Sequence, residues 1–156
     1  CDFFDVPAEP VDAAPRLAEP LPADLDDPLF LAPDENALSL AETVRDAYGT
    51  GETDYFEKHR LSGTEVEIAP SDAVAAGRAV EAVDDIVATG TTMSEAIAVL
   101  RDRDAARVFV ACVHPVLAGS ARTKLANAGV AGLYGTDTLE RAESAVTAAP
   151  VIAERL

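Results

Sequence analysis

Tryptophan is absent from this sequence, methionine occurs once, and lysine only twice, at Lys58 and Lys124. Ten arginines join the lysines against 28 acids, for a formal net charge of −16. A surface so short of positive charge repels nucleic acid and anionic lipid, so neither is an expected partner. Two cysteines, Cys1 and Cys112, are too few for a disulfide framework, and Cys112, inside the apolar run VFVACVH, reads as a buried reduced thiol. No apolar stretch approaches the roughly 20 residues of a membrane span, and no signal peptide is recognisable, so the expected location is cytoplasmic.

What is present is small and apolar. Ala, Val, Leu and their kin make up 49% of the 156 residues, enough for a single domain with a substantial core. The acidic, lysine-poor, Ala/Val-rich composition also looks like that of proteins from high-salt cytoplasm, where a Debye length of roughly 3 Å at 1 M screens self-repulsion. The chain opens at Cys1 within DFFDVP rather than at Met, which reads as a fragment or processed piece.

Six of the ten prolines fall in residues 1–28, predicting an irregular lead-in with at most a short helix near Arg16 to Glu19. From residue 29 strands and helices alternate. LFLA (29–32) reads as a buried strand, followed by a helix with Ala37, Leu40, Ala41, Val44 and Tyr48 on one face and Gly49 as its stop. TDYFE (53–57) and TEVEIA (64–69) read as strands flanking a charged loop, KHRLSG. AVEAVDDIV (79–87) and RVFVACVH (107–114) are further strands, the first followed by a helix over 92–103 with Met93, Ile97 and Leu100 inward. A helix from Gly119 to Gly129, a strand at GLYGTDT and a short closing segment complete the chain. Near-continuous apolar strands alternating with helices imply an α/β fold, a parallel β-sheet with helices on both faces. In such sheets ligands bind beyond the carboxyl ends of the strands, where Asp34, Asp84 to Thr92 and His114 fall.

One of those strand ends carries a distinctive stretch, VEAVDDIVATGTTMSEAI (80–97). Asp84 and Asp85 close the strand, and the loop Ala88, Thr89, Gly90, Thr91, Thr92 offers successive backbone amides and three hydroxyls. Gly90 can take a positive φ, and Thr92 with Glu95 is spaced for a capping box. A helix N-terminus bears about half a positive charge, so a phosphate can sit there without a cationic side chain. Adjacent carboxylates add acceptors for sugar hydroxyls, suiting a sugar phosphate better than phosphate alone. Lys58 and Arg60, two residues apart, form a pair of cations in an otherwise acidic chain. Asp34 reads as a helix N-cap, and Asp137 as a turn residue. His59 and His114 lack partners at zinc spacing.

VDDIVATGTTM (83–93) resembles the ribose-5-phosphate loop of the type I phosphoribosyltransferase fold. YFEKHRLSGTEVEI (55–68), PDENALSLA (33–41) and ACVHPVLAGSARTKLANAGVAGLYGTDTL (111–139) resemble the ribose-phosphate diphosphokinases, the phosphoribosyl diphosphate synthetases, most closely the archaeal type. The likeness runs from FFDVP to the C-terminus and covers the C-terminal half of such a synthetase. It implies transfer of the diphosphoryl group of ATP to ribose 5-phosphate, giving phosphoribosyl diphosphate and AMP, with Mg²⁺ required. It also implies a homo-oligomer, a dimer or larger. By the same likeness Lys58 is a catalytic lysine on a mobile loop and Arg60 contacts substrate. Asp84, Asp85, Ala88, Thr89, Gly90, Thr91 and Thr92 hold ribose 5-phosphate, and Asp34 helps place Mg²⁺. Residues 1–28 are then a lead-in packing on a phosphoribosyltransferase-like domain, 29–156. The pattern departs at two loops: Glu35, Asn36 and Ala37 replace paired glycines, and Thr91 stands for the second glycine of TGGT. If those places need a positive φ, Thr91 would suit them poorly. Much of the ATP site of a synthetase lies in the N-terminal half and in a neighbouring subunit, so the chain alone is expected to be inactive. The alternatives are a non-catalytic ribose-phosphate-binding or regulatory subunit, and a nucleobase phosphoribosyltransferase, for which no spare base-recognition segment is found.

Overall fold

The computed structural model describes residues 9–62 and 65–156, with 58–62 and 65–69 described by backbone alone. The FFDVP segment and Cys1 lie outside the described residues. Strands β1 (Leu29–Ala32), β2 (Glu52–Ser62), β3 (Glu65–Pro70), β4 (Ala79–Ile86), β5 (Arg107–His114), β6 (Gly132–Thr136) and β7 (Ser144–Val146) form one sheet, ordered β3-β2-β1-β4-β5-β6-β7. The six strands from β2 to β7 across this order are mutually parallel.

Alternate strand residues face opposite sides, and each side has its own cover. On one side Leu31, Val80, Ala82, Val108 and Val110 pack under α2 (Thr91–Asp102) and α3 (Ala121–Ala128), which contribute Met93, Ile97, Leu100 and Leu125. On the other side Phe30, Ala32, Val83, Phe109 and Ala111 meet Ala41 and Val44 of α1 (Leu38–Tyr48) and Leu17 of a 3-10 turn at Ala14–Ala18. Tyr48 ties that turn region to α1: its hydroxyl donates to Pro22 O at 2.6 Å and accepts from Leu25 N at 3.1 Å. A short α4 (Ala149–Ala153) closes the chain. The expected parallel sheet with helices on both faces is therefore present, and Gly49 and Gly129 end α1 and α3 as read from the sequence.

Three local expectations are corrected. The stretch KHRLSG is not a loop up to Ser62: β2 continues through Lys58, His59 and Arg60, which pair antiparallel with Ile68, Glu67 and Val66 of β3. β1 pairs only with Glu52 to Tyr55, so beyond that point β3 supplies the ladder partners that keep β2 extended. The sheet thus carries one antiparallel edge. Third, the helix read from Asp34 onward begins as a 3-10 turn, Glu35–Ala37, before α1 starts at Leu38.

Candidate functional site at the carboxyl ends of the strands

Parallel strands in register bring their carboxyl ends to one edge. Leu31 of β1 lies opposite Ala82 of β4, and Asp84 and Ile86 of β4 lie opposite Cys112 and His114 of β5. Asp34, Asp84, Asp85 and His114 therefore share the edge that the sequence assigned them.

Asp84 is half-buried, and its Oδ1 accepts from Asp85 N at 2.9 Å. Burial first, and the neighbouring Asp85 carboxyl second, push the Asp84 carboxyl up to about 6. Opposite it, burial pushes the Cys112 thiol up to about 12, so Cys112 is a packing residue with little thiolate.

Past Ile86 the chain turns over a cavity of about 140 Å³ lined by Asp84 and by Ile86 to Met93. That is several times the roughly 30 Å³ share of one water molecule, so a phosphoryl group fits. The loop is held from behind: Val87 O and Ala88 O accept from Leu117 N and Ala118 N at 2.9 and 2.8 Å. The amides of Ala88 through Met93 make no turn, cap or loop hydrogen bond among the described residues, and the first ones of α2 have no intrahelical partner. Gly90 is the N-cap of α2, with φ +71°. A Cβ there would stand 3.2 Å from Ala121 O, on α3, so the glycine serves both conformation and close approach. A larger hollow of about 560 Å³ beside Thr53, Asp54 and Asp72 shares no lining residue with this loop, so volume alone does not mark the site.

The capping box does not form. α2 starts at Thr91, its N-cap is Gly90, and no side chain caps it. This places Thr91 inside the first helical turn, outside the positive-φ region, and Asn36 is likewise outside that region. The replaced glycines therefore cost no backbone strain here. Asp34 is an N-cap as read, its Oδ1 accepting from Asn36 N at 2.9 Å. Asp137 Oδ1 accepts from Ala148 N at 2.8 Å, latching the turn to the chain end, and Thr147 and that amide hold its carboxyl below the ordinary carboxylate range. His114 Nδ1 lies 2.8 Å from Thr138 Oγ1. Lys58 and Arg60 stand two positions apart in β2, and their side chains lie outside the description.

Sequence reasoning missed Lys124. From α3 its Nζ donates to Thr91 Oγ1 at 2.9 Å, so a cation does reach the loop that backbone dipoles alone were expected to serve. The two residues are 33 apart in sequence, and only the packing of α3 on α2 joins them. The signal available was the scarcity of lysine itself.

A parallel α/β sheet with a strand–loop–helix at its carboxyl edge is an arrangement that phosphate-binding proteins use. Residues 18–134 match the family described as Phosphoribosyl transferase domain, and the chain belongs to that family. It is 66% identical over 155 residues to the ribose-phosphate pyrophosphokinase of Halobacterium salinarum, covering 99% of this chain and 54% of that protein. It is 44% identical to the enzyme of the same name from Methanosarcina acetivorans, covering 99% of this chain and 55% of that one. The crystal structure of phosphoribosylpyrophosphate synthetase from Mycobacterium smegmatis superposes with a TM-score of 0.77 at 24% identity, over 99% of this chain and 52% of that one, a likeness of fold. The chain spans about half the length of the curated relatives it matches.

Proposed function

We propose that this chain is the C-terminal half of a ribose-phosphate diphosphokinase and supplies its ribose-phosphate side. The observation that carries the reading is the 66% identity sustained over 155 residues, the strand–loop–helix included. In this reading the amides and hydroxyls of Ala88 to Thr92 hold the 5-phosphate. Asp84 and Asp85 accept hydrogen bonds from ribose hydroxyls. The anomeric hydroxyl of ribose 5-phosphate attacks the β-phosphorus of ATP and gives up its proton to solvent, the bond from that phosphorus to the oxygen bridging it to the α-phosphorus breaks, and AMP leaves with that oxygen. Lys58 and Arg60 neutralise the charge that spreads over the transferred group, since such transfers need alignment and charge stabilisation more than covalent help.

Among the described residues no three His, Cys, Asp or Glu side chains gather as a metal cage. Mg²⁺ does not need one, because it binds through one or two carboxylates plus waters and substrate phosphates. Asp34 fits that role: one carboxylate oxygen caps the turn, and the other has no hydrogen bond among the described residues and is left for a ligand. Mg²⁺, when bound, would offset phosphate charge. Residues 1–28 are read as a lead-in to the domain at 29–156. No helix among the described residues is long and apolar enough to cross a membrane. A cytoplasmic homo-oligomer with no nucleic-acid or membrane partner completes the reading.

The test is AMP release from ATP and ribose 5-phosphate, by the chain alone and with a supplied N-terminal half. AMP is expected only with that half. Lys58→Ala should then lower turnover about 10²–10³-fold, the range for removing one transition-state donor, with ribose 5-phosphate affinity retained. AMP formed by the chain alone, or a variant at full rate, would contradict the proposal.

A pH profile gives a second expectation. With Asp84 titrating near 6, ribose 5-phosphate should bind more weakly as pH falls through that value, because the protonated carboxyl loses acceptor capacity. The ligand's own second phosphate ionisation lies near 6 as well. The Asp84→Asn variant separates the two: it should bind weakly at pH 8 and show a shallower profile, measured by isothermal titration. A profile unchanged from that of the original chain would remove Asp84 from the site.

A further inference from the structure

We propose that Lys124 is a positioning residue for phosphate recognition, acting through the hydroxyl of Thr91; this rests on the phosphate loop of the preceding reading. A threonine hydroxyl has one proton to donate and two lone pairs to accept with. At Thr91 both acceptor positions are occupied: Lys124 Nζ donates at 2.9 Å and Thr89 Oγ1 at 3.3 Å. The Thr91 proton is thereby left to donate, and Thr91 lines the cavity over which the loop amides gather. An ammonium bonded to that oxygen also strengthens it as a donor toward an anion.

The pairing is informative because several other cations among the described residues are spent on acids or on carbonyls. Arg122 forms two hydrogen bonds to Glu143 at 2.6 and 2.9 Å, and Arg78 bonds Glu52 at 2.6 Å and Asp27 at 3.2 Å. Arg101 reaches Gly129 O, and Arg141 the carbonyls of Val116 and Glu140. Lys124, in a chain with 28 acids, pairs with no carboxylate among the described residues and is half-buried against a threonine of the anion loop instead. A solvated lysine held there for solubility would have no reason to choose that partner.

The experiment is isothermal titration of the chain with ribose 5-phosphate and, separately, inorganic phosphate, with denaturation midpoints as a control for folding. Lys124→Met is expected to weaken both ligands about tenfold, the scale of one charge-assisted hydrogen bond. Lys124→Arg should recover most of the loss. Thr91→Val should cost a similar factor, and the double variant no more than either single one, since both remove the same donor. Binding by Lys124→Met within twofold of the original would overturn the proposal. So would a double variant whose loss is the product of the two single losses, which would mean that the lysine acts independently of Thr91. If phosphate binds with this Lys124 dependence but ribose 5-phosphate binds no better than phosphate, the inference stands and the reading of the sugar site fails. If the original chain binds neither ligand, both fall.

Discussion

Replacing Glu81 by Leu is expected to stabilise the chain at neutral pH by about 1–3 kcal/mol, the usual cost of an unsatisfied buried polar group. Glu81 sits in the middle of β4, the central region of the sheet, with 1% of its surface exposed. Its register partners are Phe30 on β1 and Phe109 on β5, both buried on the same face. Neither carboxylate oxygen has a hydrogen-bond partner among the described residues. Burial therefore holds the Glu81 carboxyl well above its ordinary value of 4.5, favouring its protonated form in the folded chain.

The pH dependence follows from linkage. An acid whose folded pKa is raised costs nothing below its unfolded value. The cost grows as pH rises above about 4.5, because the unfolded chain releases a proton that the folded chain retains. Asp84, raised from 3.8 to about 6, acts in the same direction over its own window. Urea denaturation across pH 4 to 8 should show the original chain losing stability with rising pH. Glu81→Gln should flatten the part due to Glu81 while keeping an unsatisfied amide; Glu81→Leu should flatten it and raise the whole curve. A midpoint that falls in Glu81→Leu would mean that the carboxyl has a partner after all.

Changing Gly90 to Ala should abolish most anion binding while leaving a folded chain. A non-glycine residue in the left-handed region costs roughly 1–2 kcal/mol. The new Cβ would also stand 3.2 and 3.3 Å from the carbonyl oxygen and Cα of Ala121, backbone atoms that cannot swing aside as a side-chain end could. The loop and α3 must give way by a few tenths of an ångström or the φ of +71° must change, and a shift of the loop displaces the amides of the cradle. Misplacement of about an ångström can cost about 10²-fold, which sets the expected loss of affinity for ribose 5-phosphate by titration. The midpoint of unfolding should fall only modestly. Binding within a few-fold of the original would show that the cradle does not depend on this glycine. Thr91→Gly makes the contrast: it meets no positive φ, so its effect should be the loss of the hydroxyl alone.

Much of this architecture could be read before any coordinates. The apolar runs at 29–32, 79–87 and 107–114 are long enough and uniform enough to be buried strands, and each is one. Met93, Ile97 and Leu100 recur at helical spacing and face the core. The loop after Asp85 stands at the carboxyl edge because chain order alone puts a loop after a strand. Two readings failed for want of partners that lie elsewhere. KHRLSG carries three charged or titratable residues in a row and reads as a loop, until β3 supplies a ladder to hold it extended as far as Ser62. Thr92 and Glu95 have the right spacing for a capping box, but Gly90, pressed against α3, takes the N-cap first.

Local periodicity and a turn motif were thus enough to specify the α/β class, the parallel sheet, and the position of the segment from Asp84 to Thr92 at a strand's carboxyl end, since each depends on residues close together along the chain. Tertiary packing alone decided the rest. It seated Ala121 so close to Gly90 that a Cβ there would crowd its backbone, set Glu81, unpartnered among the described residues, between two phenyl rings, and carried Lys124 across 33 residues to the Thr91 hydroxyl. Those contacts join positions remote in sequence, and no pattern of neighbours along a chain encodes which distant side chain will arrive.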